Sequence, residues 1–150
     1  CYSEMNGLFL GKGEQYIDNH TRIDHLKSNC ISSELYKGIL KEASTGVFNG
    51  KVIVHKDAQI IEAYQQNKNV LLSDTATMNT KPELEIFADD VKCSHGTTTG
   101  QFDEEAIFYL QARGISKNAA KEMLIGAFAN EVIEKISIDA LRDFVLAKLD

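Results

Sequence analysis

The residues best suited to chemistry lie late in the chain, at Cys93-Ser94-His95. Residues two apart on a strand point to the same side, so this spacing puts a thiol and an imidazole on one face. Both are competent ligands for iron. The pair supplies only two ligands, so a larger centre has to draw the rest from elsewhere. Two histidines upstream, His20 and His25, sit among Asp18 and Asp24 and suit either metal ligation or acid–base work. Their simpler reading is turn-polar residues along a sheet edge. His55 follows Val52-Ile53-Val54 and reads as solvent-facing or strand-capping. Asp89-Asp90 are neighbours that a strand would point to opposite faces, so they read as a turn or solvated bend. Cys1 and Cys30 read as structural or bystander thiols, and Cys93 by itself as a small buried hydrophobe. No GxxxxGK[ST], GxSxG, HExxH or CxxC occurs, and Gly11-Lys12-Gly13 is too short for a phosphate loop. This chain is therefore not expected to hydrolyse ATP or to hold a cluster alone.

The elements that must carry these residues fall into two textures. With 150 residues, 43% apolar and 25% charged, the chain has ordinary globular composition and no apolar run that could span a membrane. Its formal charge of −6 argues against a nucleic-acid binder, which needs a basic face. The excess is uneven: residues 1–75 carry 8 basic and 9 acidic side chains (net −1), residues 76–150 carry 8 and 13 (net −5). Three cysteines suit a reducing cytosol better than a disulfide framework. The start at Cys1 rather than Met reads as a piece of a longer protein, with no signal peptide in view.

Up to about Gly100 the texture is short apolar runs: Val52-Ile53-Val54, Ile60-Ile61, Val70-Leu71-Leu72 and Leu84-Glu85-Ile86-Phe87. Asn49-Gly50, Lys56-Asp57, Asn67-Lys68-Asn69 and Ser73-Asp74 separate them and read as turns, Asn49-Gly50 as a hairpin or tight corner. Pro82 marks the start of a strand. No helical pattern interrupts, which leaves a sandwich, a barrel or a β-helix of short strands, and periodicity alone does not separate the sandwich from the β-helix. After Gly100 the period becomes helical. Asp103-Glu104-Glu105 opens a first helix with Ala106, Ile107, Leu110 and Tyr109 as its apolar face, and Gly114 stops it. Ser116 caps a second, striped by Ala120, Met123, Leu124, Ala127, Phe128, Val132 and Ile136. Ser137 caps a third, with Ile138, Leu141, Val145 and Leu149 on one side. Phe108, Tyr109, Met123 and Phe128 read most simply as core.

The stretch KPELEIFADDVKCSHG (81–96), then Thr97-Thr98-Thr99-Gly100 and DEEAIFYLQARGI (103–115), closely resembles the SufD branch of the SufB/SufD family of iron–sulfur cluster assembly proteins. Ile17–Thr21, Tyr36–Leu40 and Gly46–Val52 are also similar, so the resemblance covers nearly the whole chain. It implies a mainly β fold: a right-handed parallel β-helix segment over 1–100, the C-terminal rungs of a core, then a small helical domain over 101–150. That domain is expected to dock a SufC-type ABC ATPase, with Phe108, Tyr109, Met123 and Phe128 as groove residues. The β-helix is expected to pair with a SufB-type scaffold or a second SufD-type subunit. By motif, His95 would face a cysteine of the scaffold where a nascent cluster forms, with Cys93 as a helper. The cluster would be assembled transiently, none being held by this chain alone, in the cytoplasm and without nucleic acid or membrane. ATP hydrolysis would belong to the partner. The Thr97-Thr98-Thr99 link departs from the usual form and leaves the loop's conformation open. Cys-Ser-His-Gly, in place of the His-Glu-Ala-Thr version, favours SufD over SufB. The alternatives are a SufB-like scaffold, a non-enzymatic interaction module whose Ala112–Ser116 region resembles small three-helix ubiquitin-binding domains, and a metal-dependent enzyme using His20, His25 and Asp24.

Overall fold

Seven strands and three helices follow one another along residues 1–148, the part that the computed structural model of the protein describes. The strands are β1 (Tyr2–Gly11), β2 (Tyr16–His25), β3 (Cys30–Leu40), β4 (Thr45–Val54), β5 (Ile61–Leu71), β6 (Thr77–Ile86) and β7 (Val91–Gly100). Odd strands form one sheet in the order β1-β3-β5-β7, and even strands form a second in the order β2-β4-β6. The four ladders β1–β3, β2–β4, β3–β5 and β4–β6 are all parallel. The chain is thus a β-helix: each turn lays one strand on each sheet, and about three turns are complete before β7 begins the next. The corners stack as well. Asn29 N–H donates to the Gln59 carbonyl at 3.0 Å and Ile60 N–H to the Asp90 carbonyl at 2.7 Å, one turn further on.

The residues alternate in the manner of strands with one face inside. Along β5, Ile61, Ala63, Gln65, Asn67 and Asn69 are buried while Tyr64 and Gln66 are exposed. The interior is apolar at both ends of the strands and polar in the middle. Cys30, Val52, Val54, Ala58, Ile61, Ala63 and Ala88 form one apolar cluster, and Phe9, Leu40 and Ala76 another. Between them on β5 lie Gln65, Asn67 and Asn69. Most of their polar atoms pair along β5 or with the adjacent turn, while Gln65 Oε1 and Glu34 Oε1 are buried without a hydrogen-bond partner. Gln65 donates to the Glu34 carboxylate at 2.7 Å, Asn69 donates to Asn67 Oδ1 at 2.7 Å and Asn67 donates to the Tyr36 carbonyl at 3.2 Å.

This polar middle corrects the sequence reading. The strands run to 10 or 11 residues rather than a few, because polar side chains that look like breaks are part of the ladder. Asn67-Lys68-Asn69 lies within β5 and Asn49-Gly50 within β4, neither at a turn. Gly50 is there for room: a Cβ would lie 2.5 Å from Gln65 Nε2 and 2.6 Å from the Phe48 ring. Pro82 sits inside β6, not before it, and is tolerated because β6 is an edge strand with one unpaired side. Lys56-Asp57 and Ser73-Asp74 do form turns, and Asp89-Asp90 form an exposed bend.

The chain divides into two compact units, the first Cys1–Thr99 and the second beginning at Gly100. The second holds α1 (Glu104–Gln111), α2 (Lys117–Ile133) and α3 (Asp139–Leu146). Asp103 caps α1 by accepting from Glu105 N–H, and Ser116 caps α2 by accepting from Ala119 N–H. Gly114 separates them at φ 85°, a conformation that costs a residue with a Cβ energy. The third cap differs: Ile138, not Ser137, stands at the N-cap of α3 and its side chain makes no capping bond. In α1, Ile107 is buried, Ala106 and Leu110 are half-buried and Tyr109 is exposed. In α2 the buried residues are Ala120, Ala129, Val132 and Ile133, so the apolar stripe is rotated from the expected one and Met123 and Ala127 face solvent. No residue of α3 is buried, and Leu149 lies outside the described residues. No described helix is long and apolar enough to cross a membrane.

Candidate functional site

Cys93 and His95 both lie on β7, at the edge of the odd-strand sheet. Alternation places them on one side of that strand, and the contacts agree that it is the inner side. Val91 and Cys93 pack against the cluster of Cys30, Val52 and Ala63, and Thr97 accepts from Thr80 of β6 at 3.0 Å. Cys93 is half-buried, whereas Ser94 through Gly100 are exposed. The two residues therefore differ in access although they share a face. Burial pushes the Cys93 thiol up, with a backbone hydrogen bond at Ala63 acting the other way. The thiol is thus protonated at neutral pH, and a metal taken up there has to displace the proton. His95 is open to a partner and to solvent.

The threonine run is not a loop. Thr97–Thr99 continue β7, and Asn69 anchors them by donating to the Thr98 carbonyl at 3.2 Å and to Thr99 Oγ1 at 3.4 Å. Sequence reasoning missed Asn69 and Thr80 as the supports of this strand. A buried asparagine one turn behind the motif was the available signal, hidden because it read as a turn.

The upstream histidines do not form a site. His25 is buried on β2 with its Nε2 2.9 Å from Ser32 Oγ. It is not turn-polar, because it ends β2, an edge strand of its sheet, with its side chain buried. His20 is exposed and pairs with Asp18 at 3.0 Å. Asp24 takes a two-point contact from Arg22 at 2.6 and 2.9 Å and a third from His55 Nε2 at 3.2 Å. The Arg22 hydrogen bonds draw the Asp24 carboxyl down to about 2. His20 and Asp24 stand at even positions of β2 and His25 at an odd one, so the three cannot converge on one metal, and the enzyme built on them is ruled out on geometry. His55 is exposed, as expected. Among the described residues, no three His, Cys, Asp or Glu side chains are grouped to hold a metal ion. A centre at His95 needs ligands from a second chain.

The helical unit shows apolar side chains on its surface. Phe108 is 71% exposed, Tyr109 57% and Met123 53%, so these three are not core, while Phe128 is half-buried. The Arg113 guanidinium lies 3.5 Å from the centre of the Tyr109 ring and covers part of it.

A parallel solenoid with a Cys-x-His strand at its edge, followed by three helices, is matched by one family description: SUF system FeS cluster assembly, SufBD core domain, over residues 1–128. The chain belongs to the SufBD family. It is 41% identical over 145 residues to the iron-sulfur cluster assembly protein SufD of Escherichia coli, covering 97% of this chain and 34% of that protein. An iron-sulfur cluster assembly SufBD family protein of Synechocystis is 41% identical over 140 residues, covering 93% of this chain and 31% of the relative. SufD of Bacillus subtilis is 27% identical over 149 residues, 99% of this chain and 34% of its own length. The chain thus spans about a third of the length of these relatives. Within the SufBD family it resembles proteins named for cluster assembly.

Proposed function

We propose that this SufBD chain is the C-terminal part of a SufD-type subunit, acting as a non-catalytic partner in iron–sulfur cluster assembly. The observation that carries the reading is His95: an exposed imidazole on an edge strand, beside a half-buried thiol, with no further ligand grouped around it among the described residues. Such a half-site supplies one or two ligands and leaves the others to a facing chain. The facing chain is a SufB-type scaffold, and the iron–sulfur cluster is cargo made transiently between the two. A second copy of this chain is the alternative occupant of the same edge. The helical unit, with Phe108, Tyr109, Met123 and Phe128, docks a SufC-type ABC ATPase, which hydrolyses the ATP. The assembly works in the cytoplasm.

Two measurements test this. The full-length protein, co-expressed with SufB-type and SufC-type partners from the same source, should capture both, and removal of residues 101–150 should lose the ATPase and keep the scaffold. His95→Ala should leave the complex intact but lower the activity of iron–sulfur enzymes that depend on it by tenfold or more, an order-of-magnitude expectation from loss of one metal ligand. Retention of neither partner, or normal maturation with His95→Ala, would sink the proposal.

A further inference from the structure

Cys1 and Cys30 stand side by side on adjacent turns of the solenoid. Ile31 N–H donates to the Cys1 carbonyl at 2.8 Å, which extends the β1–β3 ladder by one residue beyond the Tyr2↔Ile31 pair. The two sulfurs are 2.7 Å apart. That is inside the roughly 3.5 Å at which non-bonded heavy atoms rest, and outside the S–S bond length of about 2.05 Å. Neighbouring strands run about 4.8 Å apart, within the Cα window of about 4.4–6.8 Å that a disulfide spans. The backbone therefore needs no rearrangement to bring the sulfurs into bonding range.

Cys30 lies at the edge of the apolar cluster, and its sulfur is held beside that of Cys1 as a resolving thiol. The remaining cysteine, Cys93, lies three strands away along the same sheet, beyond β3 and β5.

We infer that Cys1 and Cys30 form a reversible disulfide when the protein meets a peroxide. The Cys1 thiolate attacks one oxygen of hydrogen peroxide, the O–O bond breaks, and the departing hydroxide leaves as water with the proton of the Cys1 thiol. The sulfenic acid so formed is attacked by the Cys30 sulfur. The S–O bond breaks, a second water leaves with the Cys30 proton, and the S–S bond forms. Two thiols are oxidised by two electrons in total and one peroxide is reduced by two. The product joins two successive turns covalently, and a thiol reductant reverses it by exchange.

The test is peptide mapping of the full-length protein after treatment with hydrogen peroxide, blocking with iodoacetamide and digestion without reductant. The expected result is a peptide pair joined through Cys1 and Cys30 that dithiothreitol separates, with Cys93 still alkylated. Cys30→Ser should abolish the cross-link and leave a Cys1 sulfenic acid that dimedone traps. Cys1→Ser, outside the apolar cluster, should abolish it as well. Alkylation of both Cys1 and Cys30 after oxidation overturns the inference, as does a cross-link that runs through Cys93 or only between molecules.

Discussion

The solenoid and the helical unit bury their apolar residues to very different degrees. In the solenoid, Phe48, Leu40, Val54 and Ala63 are fully buried, and even Glu34, Gln65 and Asn67 are almost completely shielded. In the helical unit, Phe108, Tyr109, Met123, Ile138, Leu141 and Phe144 stay on the surface. The contrast teaches that the two parts of this SufBD chain are built for different ends. One has an extensive core that runs through both sheets, and the other a small one made of Ile107, Ala120, Ala129, Val132 and Ile133.

Three substitutions or conditions put that contrast at risk. The largest effect belongs to Phe48→Ala, which empties a fully buried site against the Tyr36 ring, whose centroid is 5.1 Å away. The expected loss is about 3–5 kcal/mol, read as a lower urea midpoint. An unchanged midpoint would mean that the solenoid core is not close-packed. Acid comes next. Burial holds the His25 imidazole below its ordinary 6.5. The folded form therefore refuses a proton that the unfolded chain accepts as pH falls through that value, so stability is full above it and declines below it. The melting temperature should drop between about pH 7.5 and about pH 5.5, and His25→Asn should drop less over the same window. Equal slopes would remove His25 from the account. The smallest effect on stability is expected from Phe108→Ala, at under about 0.5 kcal/mol, accompanied by loss of ATPase capture. If it destabilised the chain as much as Phe48→Ala, the two units would not differ in kind.

The sequence carries the change of period near Gly100, the acidic start of α1 and the cap at Ser116, because these are local signals that nearby backbone decides. The resemblance carries the β-helix and marks His95. What it does not carry is the length of the strands. Hydropathy reads Gln65, Asn67 and Asn69 as a break, yet each faces inward and finds its partner one turn away, a contact between residues about thirty positions apart that no local window contains. The irregular period has the same root. Tyr2 pairs with Ile31 and Tyr16 with Thr45, separations of 29, whereas Cys30 pairs with Ile61 and Thr45 with Thr77, separations of 31 and 32. The added residues enter at corners and blur the repeat. The face of α2 was misjudged because Met123 is apolar and well spaced, and only tertiary packing selects Ala129 and Ile133 instead. At the site, Cys93 and His95 were legible as a pair on one face, but their unequal access follows from β7 being the last strand of its sheet.

Those near-equal separations bear on how the solenoid folds. Closing a loop of 32 residues instead of 29 changes the entropy cost by about 0.1 kcal/mol. No ladder is therefore favoured as a nucleus by chain entropy, and side chains must choose the starting point. The turn made by β3 and β4 holds Glu34, Leu40, Phe48, Val52 and Val54, all almost completely shielded. Folding is expected to begin on that turn and spread outward in both directions, one turn at a time, with β7 zipped on near the end.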